Sequence, residues 1–238
     1  PQFEGFSITH PRDVEIAAGA QARIMAELDR LNLQRHREEL DTRGFTVLMP
    51  EQVAPPTFVA RLRSEILSVM EREHQVRIDL DRGIFQSGDV DQTGQKAFGA
   101  ALVQEALLSE GEIFEKTLMN EAVLALITYL LGETCDLSSM TGVLKAPGQA
   151  HMEMHVDHMG LPELPPYPLS ANATWLLTDY TLENGATCFH PGSHRTRRAP
   201  DAQEARDLSL FEPVEAPAGS VIIWGGNTWH GSAPRTTP

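Results

Sequence analysis

Cysteine is nearly absent: Cys135 and Cys188 are the only two in 238 residues. They are far apart and form no Cys-x-x-Cys pair. That excludes a disulfide framework and fits a reducing compartment, so a cytoplasmic location is expected. Basic residues are also scarce. Lys and Arg number 19 against 33 Asp and Glu, a net charge of −14, which argues against a general binder of nucleic acid. The best basic cluster, "HRTRR" at 194–198, is too short to overturn that. No run of ~18 apolar residues occurs, so no transmembrane helix and no membrane partner are expected. "QARIMAELDRL" near the start is amphipathic and charged, unlike the apolar segment of a signal peptide. The sequence also lacks an initiating methionine. It opens on Pro1, and the natural chain is expected to begin upstream.

What is present suits one globular unit. Hydrophobic residues make up 41% of the chain and glycine a further 18 residues, ordinary usage for a protein with a core. The first half reads helical. Ile16, Ala20, Ile24, Leu28 and Leu31 follow a helical period, which predicts a helix from Asp13 to about Leu40. "DTRGFTVLMP" (41–50) breaks the period with a Gly turn and a short strand. A second helix is predicted over Pro56–Glu73, and further helical stretches over 99–110 and 120–131, the last ended by Gly132. Residues 79–95, rich in Gly and Asp, read as a loop.

After about residue 137 the pattern changes to short strand-like runs: 140–145, 151–157, 172–179, 186–190 and 219–224. "NATWLLTDY" and "GSVIIWGG" are rich in β-branched and aromatic residues. "LPELPPYPL" (161–169), with four prolines in nine residues, must be an exposed loop. Helices followed by strands indicate an α+β fold, or a β-barrel with helices packed against it. No internal repeat is present.

The chemistry concentrates in "MHVDHMG" (154–160). His155 and Asp157 are two apart, which on a strand means one face. Two side chains do not hold a metal securely. A third is available in "WGGNTWHGSAPR", where His230 follows the strand-like "SVIIW". Two His and one carboxylate are the ligand set of non-haem Fe(II) oxygenases, because three protein ligands leave three positions for a chelating co-substrate and dioxygen. The same three residues would also suit a cupin-like zinc enzyme. With nine His in the chain, an isolated His-x-Asp carries little weight, and His151, His158, His190 and His194 read individually as surface or structural residues.

The surroundings are more specific. "LKAPGQAHMEMHVDHMG" resembles the Lys-x-Pro-Gly strand that leads into the His-x-Asp motif of the phytanoyl-CoA dioxygenase family. "TWLLTDYTLENGATCFHPGSHR" and "EAPAGSVIIWGGNTWHGSAP" are similar to that family's Asn-Gly…Pro-Gly-Ser-His and distal-His segments. "RGFTVL" and "YLLGE" match its weaker helical region, so the likeness runs from about residue 40 to the end. The resemblance implies an Fe(II)/2-oxoglutarate-dependent dioxygenase that uses dioxygen to hydroxylate an aliphatic C–H of a small-molecule or acyl substrate. It implies a double-stranded β-helix (jelly-roll) barrel in one domain over 1–238, with residues 1–136 mainly a helical support region and 137–238 the barrel core. His155, Asp157 and His230 would then hold the iron. Trp175 and Ser232 would contact 2-oxoglutarate, with Lys145 and His194 near the co-substrate or the active-site rim. Plainer readings exist for these contacts: Trp175 as core, Ser232 as a turn residue, Lys145 as a solvated strand end. A member that has lost activity and only binds a small molecule is the remaining alternative.

One departure stands out. The family's clamp on the far carboxylate of 2-oxoglutarate is an Arg on the barrel's last strand. Here the sequence stops at Pro238, eight residues past His230, and the natural chain is expected to continue to that strand. Arg235 is the substitute if it does not. The acid at Asp157 points to hydroxylation, since related halogenases carry a small residue there and bind chloride. Substrate identity and oligomeric state have no signature in the sequence.

Overall fold

The computed structural model describes residues 11–80, 83–86, 101–145 and 150–237. The predicted first helix is two, α1 (Pro11–Arg30) and α2 (Gln34–Arg43). Between them Asn32 adopts a left-handed φ of 57°, a conformation Asn tolerates and a helix interior does not. After α2 comes strand β1 (Phe45–Leu48), then a single helical turn α3 (Pro50–Val53) and the long α4 (Pro56–His74). Strands β2 (Val76–Asp79) and β3 (Gly83–Gln86) form a separate antiparallel ribbon. The Gly/Asp-rich residues 87–95 and the Pro147–Gly148 pair lie outside the described residues.

Residues 101–110, expected to be helical, are not. They supply strand β4 (Ala101–Gln104) and a short 3-10 turn over Leu107–Glu110. β4 pairs with β5 (Gly142–Lys145), so a distant partner overrides a local helical preference. Helices α5 (Glu112–Leu118) and α6 (Glu121–Leu131) follow. Asn120 caps α6, its side-chain oxygen accepting from the Val123 N–H at 3.2 Å while its amide donates to Val53 O. No helix among the described residues is long and apolar enough to cross a membrane.

The second half supplies β6 (Met152–His155), β7 (Ala171–Trp175), β8 (Thr187–Phe189), β9 (Glu212–Pro213), β10 (Val221–Gly225) and β11 (His230–Ser232). They form two antiparallel sheets, ordered β1-β10-β7 and β6-β11-β8-β9, with no closed ring among the described strands. This is the expected mixed architecture. The mainly helical first half also contributes a strand to the first sheet, because β1 pairs along β10 from Phe45↔Trp224 to Leu48↔Val221.

Strand alternation divides the core in two. Leu48, Val221 and Ile223 turn outward and pack with Leu28, Leu40 and Leu126 of the helices. Phe45, Ile222 and Trp224 turn inward and meet Phe189 of the other sheet. The Phe45 and Phe189 rings stack at 4.2 Å, joining the sheets face to face. Burying such rings contributes roughly 1.5–3 kcal/mol each.

Gly44 locks the helical layer to this core. It ends α2 at a φ of +87°, and a Cβ there would lie 2.5 Å from Thr228 Oγ1 and 2.6 Å from His194 Nδ1. Thr228 Oγ1 in turn donates to Gly44 O at 2.9 Å. Gly44→Ala combines a left-handed alanine, about 1–2 kcal/mol, with overpacking of about 1–3 kcal/mol. Its urea midpoint should fall accordingly, and an unchanged midpoint would show that the neighbours yield freely.

Candidate metal centre

His155 ends β6, His230 opens β11, and the two are paired directly across the ladder. Their rings lie 4.3 Å apart. Asp157 follows β6 by two residues and is drawn back over the site because its N–H donates to Gly226 O at 2.9 Å. One ligand atom from each of His155, Asp157 and His230 comes within 4.8 Å of the others. The Asp157 Oδ1 to His230 Nε2 distance is 3.4 Å. Sequence spacing thus brought together three side chains from two strands and a turn.

Both imidazoles are held in the form a metal needs. His155 Nδ1 faces Glu153 O at 3.0 Å and His230 Nδ1 faces Thr228 O at 2.8 Å. Only a protonated nitrogen donates to a carbonyl, so the proton of each neutral ring sits on Nδ1, and in that form Nε2 would offer its lone pair to the site. Burial, then the nearby His230, holds His155 below the usual imidazole range and favours its neutral form. Burial opposes the charge on Asp157, but His230, Asn172 and Ser170 outweigh it and hold the carboxyl below its usual range. Two imidazoles and one ionised carboxylate are a donor set that suits a first-row divalent metal.

Several residues that build the site carry no motif. Asn172 Nδ2 and Ser170 Oγ donate to Asp157 Oδ2 at 2.9 and 3.2 Å. Gly226 lies against both: a Cβ there would be 2.2 Å from Ser170 Oγ and 2.3 Å from Asp157 Oδ2. Trp224 sets its ring 5.3 Å from His230. Its buried indole N–H has no hydrogen-bond partner among the described residues. The "GG" of "IIWGGN" was the available signal for a close backbone approach.

The other expected residues divide. Ser232 is buried on the His230 face of β11, and its Oγ has no partner among the described residues, so a polar ligand group there would satisfy it. Lys145 and Arg235 come together at the turn after β7. Lys145 Nζ donates to Gly185 O and Arg235 Nη1 to Lys145 O. Burial lowers the pKa of both. Trp175 does not reach the metal ligands. Asn172 and Thr174 take the inner face of β7, and alternation turns Trp175 outward against Phe58 and the helices. The contacts it makes among the described residues are packing contacts. His194 hydrogen-bonds Asp41 O at the end of α2, and His190 stacks on Trp229. His151 is exposed.

Comparison with known proteins bears on the family and the fold. The family model described as phytanoyl-CoA dioxygenase matches residues 40–238. A curated relative, the dioxygenase af480 of Aspergillus fumigatus, is 34% identical over 122 residues, covering 50% of this chain and 39% of its own length. The present chain thus matches well under half of that protein. Among solved structures, HygX of Streptomyces hygroscopicus with nickel and 2-oxoglutarate bound is 17% identical at a TM-score of 0.60. That match covers 85% of this chain and 81% of HygX. The non-haem α-ketoglutarate-dependent carbocyclase SnoK from nogalamycin biosynthesis is 18% identical at a TM-score of 0.61, covering 85% and 78%. At those identities the structures speak to the fold alone, a jelly roll.

Proposed function

The chain belongs to the phytanoyl-CoA dioxygenase family, and from that premise we propose that it is a single-domain Fe(II)/2-oxoglutarate-dependent dioxygenase that hydroxylates an aliphatic C–H of a small molecule. The observation that carries this reading is the convergence of His155, Asp157 and His230, with both Nδ1 atoms already committed to backbone carbonyls. When bound, iron with 2-oxoglutarate and dioxygen would supply oxidative decarboxylation to succinate and carbon dioxide, with transfer of one oxygen atom to the substrate. The protein's part is to hold and orient. His155 Nε2, Asp157 Oδ1 and His230 Nε2 would hold the metal. Ser232 Oγ and Trp224 Nε1, both buried and unmatched among the described residues, would donate to oxygens of bound ligands. Lys145 would offer a cation to a carboxylate, since it forms no ion pair with an acidic side chain among the described residues. Arg235 would steady the Lys145 backbone. Phe189 and Trp224, packed around His230, would exclude water from the reacting centre. The carboxylate at Asp157, rather than a small residue, favours hydroxylation over halogenation.

The test is anaerobic titration of the ferrous protein with 2-oxoglutarate. A weak visible charge-transfer band is expected from two-point chelation, together with succinate release once dioxygen and a substrate are admitted. A zinc enzyme gives no such band, and its absence with freshly loaded iron would transfer the assignment to zinc or to a non-catalytic binder.

A further inference from the structure

Asp157 is the most constrained of the three proposed ligands, and the constraint falls on one oxygen. Oδ2 accepts from Asn172 Nδ2 at 2.9 Å and from Ser170 Oγ at 3.2 Å. Oδ1 receives neither bond and lies 3.4 Å from His230 Nε2. The two donors come from different directions. Asn172 sits on the inner face of β7, paired with Trp224 of β10, whereas Ser170 ends the proline-rich loop. Gly226 fixes both sides through its backbone: its carbonyl accepts from Asp157 N–H at 2.9 Å, and its N–H donates to Ser170 O at 2.8 Å.

Denticity is what this arrangement controls. A carboxylate has about four lone-pair sites, and either oxygen alone or both together can reach a metal. Turning Oδ2 toward the metal would break two hydrogen bonds to a charged acceptor, the stronger kind. It would also fill a position that a chelating co-substrate or dioxygen needs.

We infer that Asn172, assisted by Ser170, is a positioning residue that keeps Asp157 a one-oxygen ligand and so keeps three coordination positions open. This rests on the metal-site reading above, and the experiment separates the two. Co(II) replaces iron as the probe because its visible spectrum reports coordination number without turnover.

The measurements are Co(II) affinity, the Co(II) visible spectrum and the melting temperature of the metal-free protein, for wild type, Asn172→Ala and Ser170→Ala. Loss of such an outer partner costs about tenfold to a hundredfold in metal affinity. Asn172→Ala should show a loss of that size with a changed band position and intensity. Ser170→Ala should show a smaller change in the same direction, and both should melt close to wild type. If Asn172→Ala lowers affinity while both variants leave the spectrum untouched, denticity is not what these residues set and the inference falls. It falls equally if affinity and spectrum match wild type. Wild-type protein that takes up no Co(II) would overturn the metal-site reading, and this inference with it.

Discussion

Asp157→Ala should lose stoichiometric Fe(II) binding, with affinity down by more than the roughly hundredfold that loss of an outer partner costs. The two imidazoles that remain would sit 4.3 Å apart, ring to ring. They are uncharged donors, and the negative charge that offsets the metal would be gone. Anaerobic titration followed by equilibrium dialysis measures the effect. His151→Ala is the control, since His151 is exposed and outside the cluster of ligand atoms. Undiminished iron affinity in Asp157→Ala would remove the acid from the site. A matching loss in His151→Ala would mean that the wrong histidine had been counted.

Gly226→Ala should weaken metal binding as well, although it replaces no ligand. The added Cβ would lie 2.3 Å from Asp157 Oδ2 and 2.2 Å from Ser170 Oγ, and real contacts do not come that close. The backbone has no easy retreat, because Gly226 N–H and C=O are both engaged, with Ser170 and Asp157. The carboxylate must therefore move. Overpacking of this kind costs about 1–3 kcal/mol of stability, and displacement of Asp157 should add at least about a tenfold loss of metal affinity. Gly160→Ala is the matched control, since a Cβ there meets nothing within 4 Å. Metal affinity and unfolding midpoint together read the result. A Gly226→Ala protein with both values intact would mean that the local backbone is far more yielding than its hydrogen bonds imply.

The candidate metal cluster was legible in the sequence because its chemistry is local or nearly so. His155 and Asp157 are two apart, and His230 follows a β-branched run that has to be a strand. The scaffold behind them was not. Asn172 and Ser170 meet Asp157 only through the way β7 and the proline loop return to it, and no spacing rule reports that return. Trp175 shows the two kinds of signal side by side: family position suggests a ligand contact, whereas alternation along Ala171–Trp175 gives the inward places to Asn172 and Thr174. Residues 101–110 were misread for a related reason. Their apolar spacing suits a helix, but β5 lies alongside and pairs with β4. The helix over 56–73 was legible because its apolar face alone determines it, and α4 follows within a residue.

The segment from Asp157 to Ser170 carries the proline-rich loop, and Ser170 at its far end hydrogen-bonds back to the Asp157 carboxylate. Between those points it displays Met159, Leu161, Tyr167 and Leu169 to solvent, while Leu164 is buried and hydrogen-bonded to Arg197. Such a span behaves like a replaceable face plate bolted to a fixed frame. The exposed positions can be exchanged, and with them the surface the loop offers to solvent, without shifting the bolts. A change at either bolt, Asp157 or Ser170, would alter the frame and the plate together.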